Sequence, residues 1–389
     1  MTPEAYLERA RALLPALRER APYSEQLRRL PDETFKEFQE AGLFRALQPK
    51  RYGGYELDPG TFYQAVMDVG TVCGSSAWLL GVVGVHNWQL ALFSEQVQEE
   101  VWGDDTSIQI STSLAPTGTV ERVDGGFRLR GRWSFSSGCD FCHWALLGGI
   151  VPPTQEGMPP DRRAFLLPRR DYTIDDTWHV IGLCGTGSKD IVVADAFVPE
   201  YRTFSYREAF ELRSPGLALH DAPLYRLPFG IVFPYGIASP AIGVAMGALD
   251  FFREQASTRV WSRDQSRVAE DPFVQFRLAE AAAAVDTARD RLLRCFADMM
   301  QRACAGREIP LAHRARYRWE AAHAVALSVQ AVDRLFEASG GRAIFLNNPV
   351  QRAWRDVHAM RAHAGNNPEK MAAIFGRSEF GLPPQDLAF

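Results

Sequence analysis

Asp271-Pro-Phe-Val-Gln-Phe-Arg-Leu-Ala-Glu280, continuing through Ala281-Ala-Ala-Ala-Val-Asp-Thr-Ala-Arg-Asp290 to Met299-Met300, is the stretch that decides the fold. An aspartate that can cap free backbone N–H groups, followed by proline in the first turn, is a helix start. From there Val274, Leu278, Ala281, Val285, Ala288, Leu292, Phe296 and Met299 recur at spacings of three and four. They predict one apolar stripe along a helix of roughly 50 Å. A second stripe, Ala322, Val325, Val329, Val332 and Phe336, stops at Gly340-Gly341, where glycine can end a helix. The joint Ala305-Gly-Arg-Glu-Ile-Pro310 makes the two an antiparallel bundle, with apolar surface left over for other subunits.

Working outward toward the N-terminus, Ile231 to Leu249 carries no charged side chain and approaches the roughly 20 residues of a membrane span. Pro234, Pro240, Gly236, Gly243 and Gly247 interrupt it, and no basic cluster flanks it. It reads as a turn followed by a buried core helix. Before it, glycine and proline are frequent and the period shortens. Ile108-Gln-Ile-Ser, Phe127-Arg-Leu-Arg, Trp144-Ala-Leu-Leu and Ile191-Val-Val-Ala are expected strands, with turns at Asp124-Gly-Gly and Pro152-Pro. Earlier still the pattern is helical. Glu4–Arg20 is amphipathic, Asp32–Glu40 follows a proline, and Ser75–Trp88 is almost wholly apolar and should be buried. The expected organisation is a helical domain over residues 1–105, a central β-domain over 106–203 and a C-terminal helical bundle over 204–389. The class is α+β, mainly α.

The 43 basic and 47 acidic residues give a net charge of -4 with no basic stripe. That balance argues against nucleic acid or an anionic membrane as partner. The N-terminal segment has no continuous apolar core, so an export signal is not expected; the chain reads as cytoplasmic and its six cysteines as reduced thiols. Cys139-Asp-Phe-Cys142-His143 fits a haem-attachment pattern, but attachment needs an exported chain, and structural thiols are the better reading. No second Cys-x-x-Cys or spaced histidine pair completes four ligands, so no metal is expected. Gly185-Thr-Gly187-Ser188 looks like a nucleotide loop, yet a strand rather than a helix follows it, and no Rossmann domain is indicated.

Four segments gather hydroxyls, aromatics and histidines in glycine-rich surroundings: Cys73–Trp78 running on to His86-Asn-Trp88, Ile110–Pro116, Trp133–Asp140, and Trp354–His358 with His363–Pro368. Such clusters suit a pocket for a flat, weakly charged ligand.

Those segments, with Leu30-Pro-Asp-Glu-Thr, Gln48-Pro-Lys-Arg-Tyr-Gly-Gly, Trp178-His-Val-Ile-Gly-Leu, Val332-Asp-Arg-Leu-Phe-Glu-Ala-Ser-Gly and Glu379-Phe-Gly-Leu-Pro-Pro, resemble in order and spacing a known family. It is the flavin-dependent monooxygenases of the acyl-CoA dehydrogenase-like fold. The chain is similar to the oxygenases acting on 4-hydroxyphenylacetate and on the phenolic seco-steroid of bacterial sterol breakdown. The resemblance implies the oxygenase component of a two-component system and a homotetramer. A separate reductase would use NAD(P)H to supply reduced flavin (FMNH2 or FADH2), and O2 would be the co-substrate. A flavin C4a-hydroperoxide would then hydroxylate a small aromatic substrate, a phenol.

The same resemblance implies residue roles. Ser137 would lie beside flavin N5 and hold its proton, whose loss releases hydrogen peroxide. His363 would handle protons near the oxygen adduct, and His86 would face the substrate phenol and draw off its proton. Trp78, Thr112, Ser113 and Arg259 would join Ser137 in binding flavin, Arg259 at the phosphate, and Thr112 would also touch substrate. From the residues alone, the bland readings are Ser137 as a turn cap, His363 as a surface or helix-end histidine, His86 as a satisfied core residue, Trp78 as simply core and Arg259 as an exposed arginine. Thr112 stands where the family has serine, which adds a methyl and bears on substrate identity. Two rival chemistries share the fold. An acyl-CoA dehydrogenase needs a carboxylate base, and His363-Ala-Gly-Asn-Asn-Pro supplies none, with Glu369 reading as a helix-start residue. An N- or S-oxygenase would have little need of His86.

Overall fold

The computed structural model describes residues 1–153, 161–261 and 264–383; Pro384 of the C-terminal motif lies outside the described residues. Helices come first: α1 (Pro3–Ala12), α2 (Leu14–Leu27), α3 (Asp32–Glu40), α4 (Pro59–Gly70), α5 (Gly74–Leu90) and α6 (Glu95–Trp102). The single helix expected over Glu4–Arg20 is two, broken at Leu13. Pro15 stands in the first turn of α2, where its missing N–H and its ring cannot continue the preceding helix.

Among the described residues eight strands follow: β1 (Ile110–Ser113), β2 (Thr119–Val123), β3 (Gly126–Ser136), β4 (Trp144–Val151), β5 (Asp161–Pro168), β6 (Thr173–Asp175), β7 (Lys189–Pro199) and β8 (Thr203–Ser205). The first starts two residues later than expected, because a turn capped by Asp105 ties up the Ile108 N–H. The strands form two four-stranded sheets, β1-β4-β5-β8 and β2-β3-β7-β6, antiparallel except for the parallel pair β1 and β4. Alternation along β4 and β5 explains their near-continuous apolar sequence. Ala145, Leu147, Phe165 and Leu167 face the second sheet. Trp144, Leu146, Ala164 and Leu166 face the helices. A sheet covered on both sides needs apolar residues on both.

The C-terminal part holds α7 (Tyr206–Phe210), α8 (Phe229–Thr258), α9 (Pro272–Cys304), α10 (Leu311–Ser339), α11 (Pro349–Arg361) and α12 (Pro368–Glu379). Asp271 caps α9 through the Phe273 N–H, and Gly340 at φ 62 ends α10, both as the sequence predicts. Ion pairs Glu280–Arg334 and Arg291–Glu320 step in opposite directions along α9 and α10, so the two are antiparallel.

Helix α8 corrects one expectation. Pro234 and Pro240 lie inside one continuous helix rather than in a turn before it. The glycines that looked like interruptions are where neighbouring backbones cross. A Cβ on Gly243 would lie 2.9 Å from Gly70 Cα on α4, and one on Gly81 of α5 would lie 2.5 Å from the Gly236 carbonyl. Pro240 deprives that Gly236 carbonyl of its i+4 donor, and it faces Gly81 instead. Tertiary packing thus outweighs the local cost of proline. The helix is long and apolar enough to cross a membrane, but its most apolar window is 89% buried within the protein.

Candidate active site

Helix α5 carries the site. All 17 of its residues are buried, and Trp78 and His86 stand eight residues apart, about 12 Å along the axis. Its first turn rests on Cys73, whose Sγ accepts the Ser76 N–H, and on Asp356 of α11. Burial of Asp356 raises its pKa to about 6, and its Oδ1 accepts the Leu183 N–H at 2.7 Å.

A first cluster gathers round Trp78. At the end of β3 the register with β7 shifts between Trp133 and Ser136, and Phe135 takes a left-handed φ of 69°. That irregularity turns Ser137 toward α5, where Trp78 Nε1–H donates to its Oγ at 3.1 Å. Ser137 Oγ lies 2.7 Å from Ser188 Oγ, which lies 2.7 Å from Thr186 Oγ1, which donates to the Leu183 carbonyl at 2.9 Å. Leu183 is itself left-handed at φ 55°, a strained state for leucine. Asp356 holds it through the N–H, and Trp178 Nε1 binds its carbonyl at 3.1 Å.

His363, at the joint of α11 and α12, meets the Trp78 ring edge-on at 5.8 Å. Its Nδ1 accepts the Gly365 N–H at 3.0 Å, which leaves the proton on Nε2. Surrounding protein and the Arg318 guanidinium push its pKa down, although solvent reaches an exposed part of the residue and limits that shift.

A second cluster surrounds His86, which is 1% exposed. Its Nδ1 is 2.9 Å from Gln89 Oε1 and its Nε2 is 2.8 Å from Thr112 Oγ1. With the amide oxygen facing Nδ1, that nitrogen carries the proton and Nε2 accepts the threonine hydroxyl. Desolvation lowers the His86 pKa to about 4, so the ring is neutral near pH 7. Phe233 of α8 packs on it with ring centroids 5.6 Å apart.

Not every residue singled out from the sequence joins these clusters. Ser113 points away from Thr112, as alternate strand residues must, and its hydroxyl donates to the Ser134 carbonyl at 2.6 Å. Arg259 donates to the Ser339 carbonyl at the end of α10 at 2.7 Å and covers the Trp261 ring. Glu369 sits exposed in the first turn of α12, paired with Arg361 at 3.3 Å.

Comparison with known proteins gives the family. The acyl-CoA dehydrogenase N-terminal domain matches residues 4–105 and the C-terminal domain residues 235–368. The oxygenase subunit HsaA, a flavin-dependent monooxygenase of Rhodococcus jostii, is 46% identical over 98% of this chain and 99% of its own. The oxygenase component of the FADH2-dependent resorcinol hydroxylase of a Rhizobium species is 36% identical over 95% of this chain and 92% of its own. The crystal structure of a Rhodococcus 3-HSA hydroxylase superposes with a TM-score of 0.94 at 46% identity, covering 99% of this chain and 98% of that one. The chain belongs to this family of flavin-dependent aromatic monooxygenases.

Several residues of these two clusters escape a reading of the sequence. Thr186 and Ser188 come from the Gly-Thr-Gly-Ser segment, which looks only like a false nucleotide loop. Thr186 ends a 3-10 turn and the left-handed Gly187 follows it, which brings the Thr186 and Ser188 hydroxyls within 2.7 Å. Gln89 falls one turn after His86, the helical spacing at which side chains meet. Phe233 and Asp356 come from distant helices with no local signal.

Proposed function

We propose that the chain hydroxylates a phenol, with reduced flavin bound at the Trp78–Ser137–His363 cluster and the phenol at the Thr112–His86 pair. The observation that carries this is the placement of two polar clusters on one buried helix, at a separation that suits a ring system and its reaction partner. The residues fit a flavin. Beside the Leu183 loop, Phe135 is 68% and Ile181 76% exposed, an apolar surface for a flat ring. The hydroxyl and imidazole groups meet its polar edge.

When bound, the reduced flavin would supply two electrons to O2, from which the inserted oxygen atom comes. The protein's own groups manage protons and water. Ser137 Oγ would hold the proton at flavin N5. His363 presents Nε2–H to the oxygen side. A phenol hydrogen-bonded to Thr112 Oγ1 passes its proton through that hydroxyl to the His86 Nε2 lone pair, while Gln89 keeps the proton on Nδ1. The ring gains phenolate character, which activates the carbon under attack. The methyl of Thr112 narrows the space at the phenol oxygen relative to serine.

A separate reductase delivers the reduced flavin, which accords with the component names of the relatives. We further place the chain in the cytoplasm as a homotetramer. Ile344, Phe345 and Leu346 stand 71%, 61% and 84% exposed in sequence, an apolar patch that an isolated chain would leave in water.

Anaerobic loading with FMNH2 or FADH2, then mixing with oxygen and a panel of phenols, tests the function. The expected result is a catechol-type product with little hydrogen peroxide. Quantitative conversion of the flavin's electrons to peroxide with every phenol would sink it, and light scattering at working concentration checks the tetramer.

A further inference from the structure

We infer that Thr186 and Ser188 fix the direction of the Ser137 hydroxyl, making Ser137 an acceptor only toward bound flavin and so selecting the reduced over the oxidised ring. This deepens the function proposed above and rests on Ser137 lying beside flavin N5.

The inference comes from counting protons. Three oxygen–oxygen contacts link Ser137 to Ser188 at 2.7 Å, Ser188 to Thr186 at 2.7 Å and Thr186 to the Leu183 carbonyl at 2.9 Å. Oxygens held that close repel unless a proton lies between them. Three hydroxyls supply three protons, so each contact has one. The carbonyl has none to give, so Thr186 must donate to Leu183. Thr186 then has none left, so Ser188 must donate to it. Ser188 is thereby used, and Ser137 must donate to Ser188. The direction of the whole chain follows from one carbonyl.

That carbonyl cannot turn away. Leu183 is held in its left-handed conformation by Asp356 at the N–H, and Trp178 Nε1 binds the same oxygen. Thr186 and Ser188 are 1% and 3% exposed, so water does not compete for their protons. Trp78 Nε1–H occupies one Ser137 lone pair. What Ser137 offers a ligand is the remaining lone pair and no proton.

A reduced flavin has N5–H, a donor that this lone pair accepts. An oxidised flavin has a bare N5 lone pair, which would face the lone pair of Ser137. One pairing makes a hydrogen bond and the other sets two acceptors against each other, a difference worth on the order of tenfold or more in affinity. Ser188 and Thr186 touch no flavin in this account and are positioning residues.

The test is flavin affinity in both redox states, by anaerobic and aerobic titration of the full chain without phenol. Ser188→Ala frees the Ser137 proton to turn toward N5. Oxidised flavin should then bind several-fold more tightly, and the oxidised-to-reduced Kd ratio should fall on the order of tenfold. Thr186→Val breaks the chain one link earlier and should act in the same direction, while Thr186→Ser, which keeps the hydroxyl, should retain the wild-type ratio. A gain in affinity for oxidised flavin is not what damage to the pocket produces. Equal loss for both states, or no change in the ratio in either broken-chain variant, overturns the inference. Ser137→Ala separates the two levels. If it leaves affinity and peroxide release unchanged, Ser137 does not face N5 and the site assignment fails. If it alters them while the Ser188 and Thr186 variants keep the ratio, the assignment stands and the directional chain is wrong.

Discussion

Thr112 Oγ1 lies 2.8 Å from His86 Nε2, while Gln89 Oε1 holds the opposite nitrogen at 2.9 Å, so both ring nitrogens of a histidine only 1% exposed are spoken for by neutral partners. No carboxylate raises its pKa. The imidazole is therefore a base that stays available across the whole neutral range.

His86→Ala should cut hydroxylated product by ~10²–10⁴-fold, the usual contribution of a positioned base. Oxygen should still be consumed, its electrons appearing as hydrogen peroxide. The loss should shrink for phenols already ionised at the assay pH. Product and peroxide measured in parallel check this; a variant that no longer consumes oxygen would mean that His86 serves oxygen activation rather than the phenol.

Ser137→Ala should raise the peroxide-to-product ratio, because a proton holder is lost while the substrate pair stays intact. Coupled assays of product, peroxide and oxygen uptake check it, and an unchanged ratio would remove Ser137 from its assigned role.

Asp356→Asn should stabilise the protein near pH 7. The sign follows from the raised pKa: a carboxyl shifted up to about 6 prefers the neutral state in the fold. Its stabilising contribution is present below the unfolded value near 4 and is lost as pH rises through about 6, a span worth about 3 kcal/mol at most. His86 runs the other way: with its pKa lowered to about 4, its contribution is present above the unfolded value and is lost as pH falls from about 6.5 toward 4. The two slopes oppose each other in the wild type. Asparagine keeps an oxygen for the Leu183 N–H and removes the ionisation. The difference in Tm between variant and wild type should grow from pH 4 to above 6 and then level off; a difference that is flat with pH would contradict the assignment.

Gly243→Ala should destabilise the fold by at least about 2 kcal/mol, an overpacking cost. The new Cβ would meet the Met67 carbonyl at 2.3 Å and Gly70 Cα at 2.9 Å, both backbone atoms that cannot swing aside. Thermal or denaturant unfolding measures it. A variant with wild-type stability would show that the α4–α8 crossing relaxes freely.

The long helices were legible in the sequence because their signals are local. A capping aspartate with proline starts α9, a three-four stripe runs along it, and a glycine at positive φ stops α10. What stayed hidden was non-local. Pro234 and Pro240 look like breakers until Gly70 and Gly81 bring two other helices against α8. At the site, the histidines, Ser137 and Trp78 stood out by chemical type, but their partners did not. Gln89, Thr186 and Ser188 matter through single hydrogen bonds, which composition and period do not record. Arg259 stood out by charge, and its hydrogen bond to the Ser339 carbonyl is another partner that no local pattern records.

The two-sided sheet has a consequence for how the molecule comes apart. Leu146 and Leu147 are neighbours in the chain, yet one belongs to the helical core and the other to the space between the sheets. Peeling β4 and β5 from their sister sheet would leave the helices without their cover, and removing the helices would strip the opposite face of the same strands. Neither part has a surface it can shed alone, so melting should be a single cooperative event. A protease that nicks the chain between β5 and α8 should leave the fragments clasped together until the whole assembly gives way.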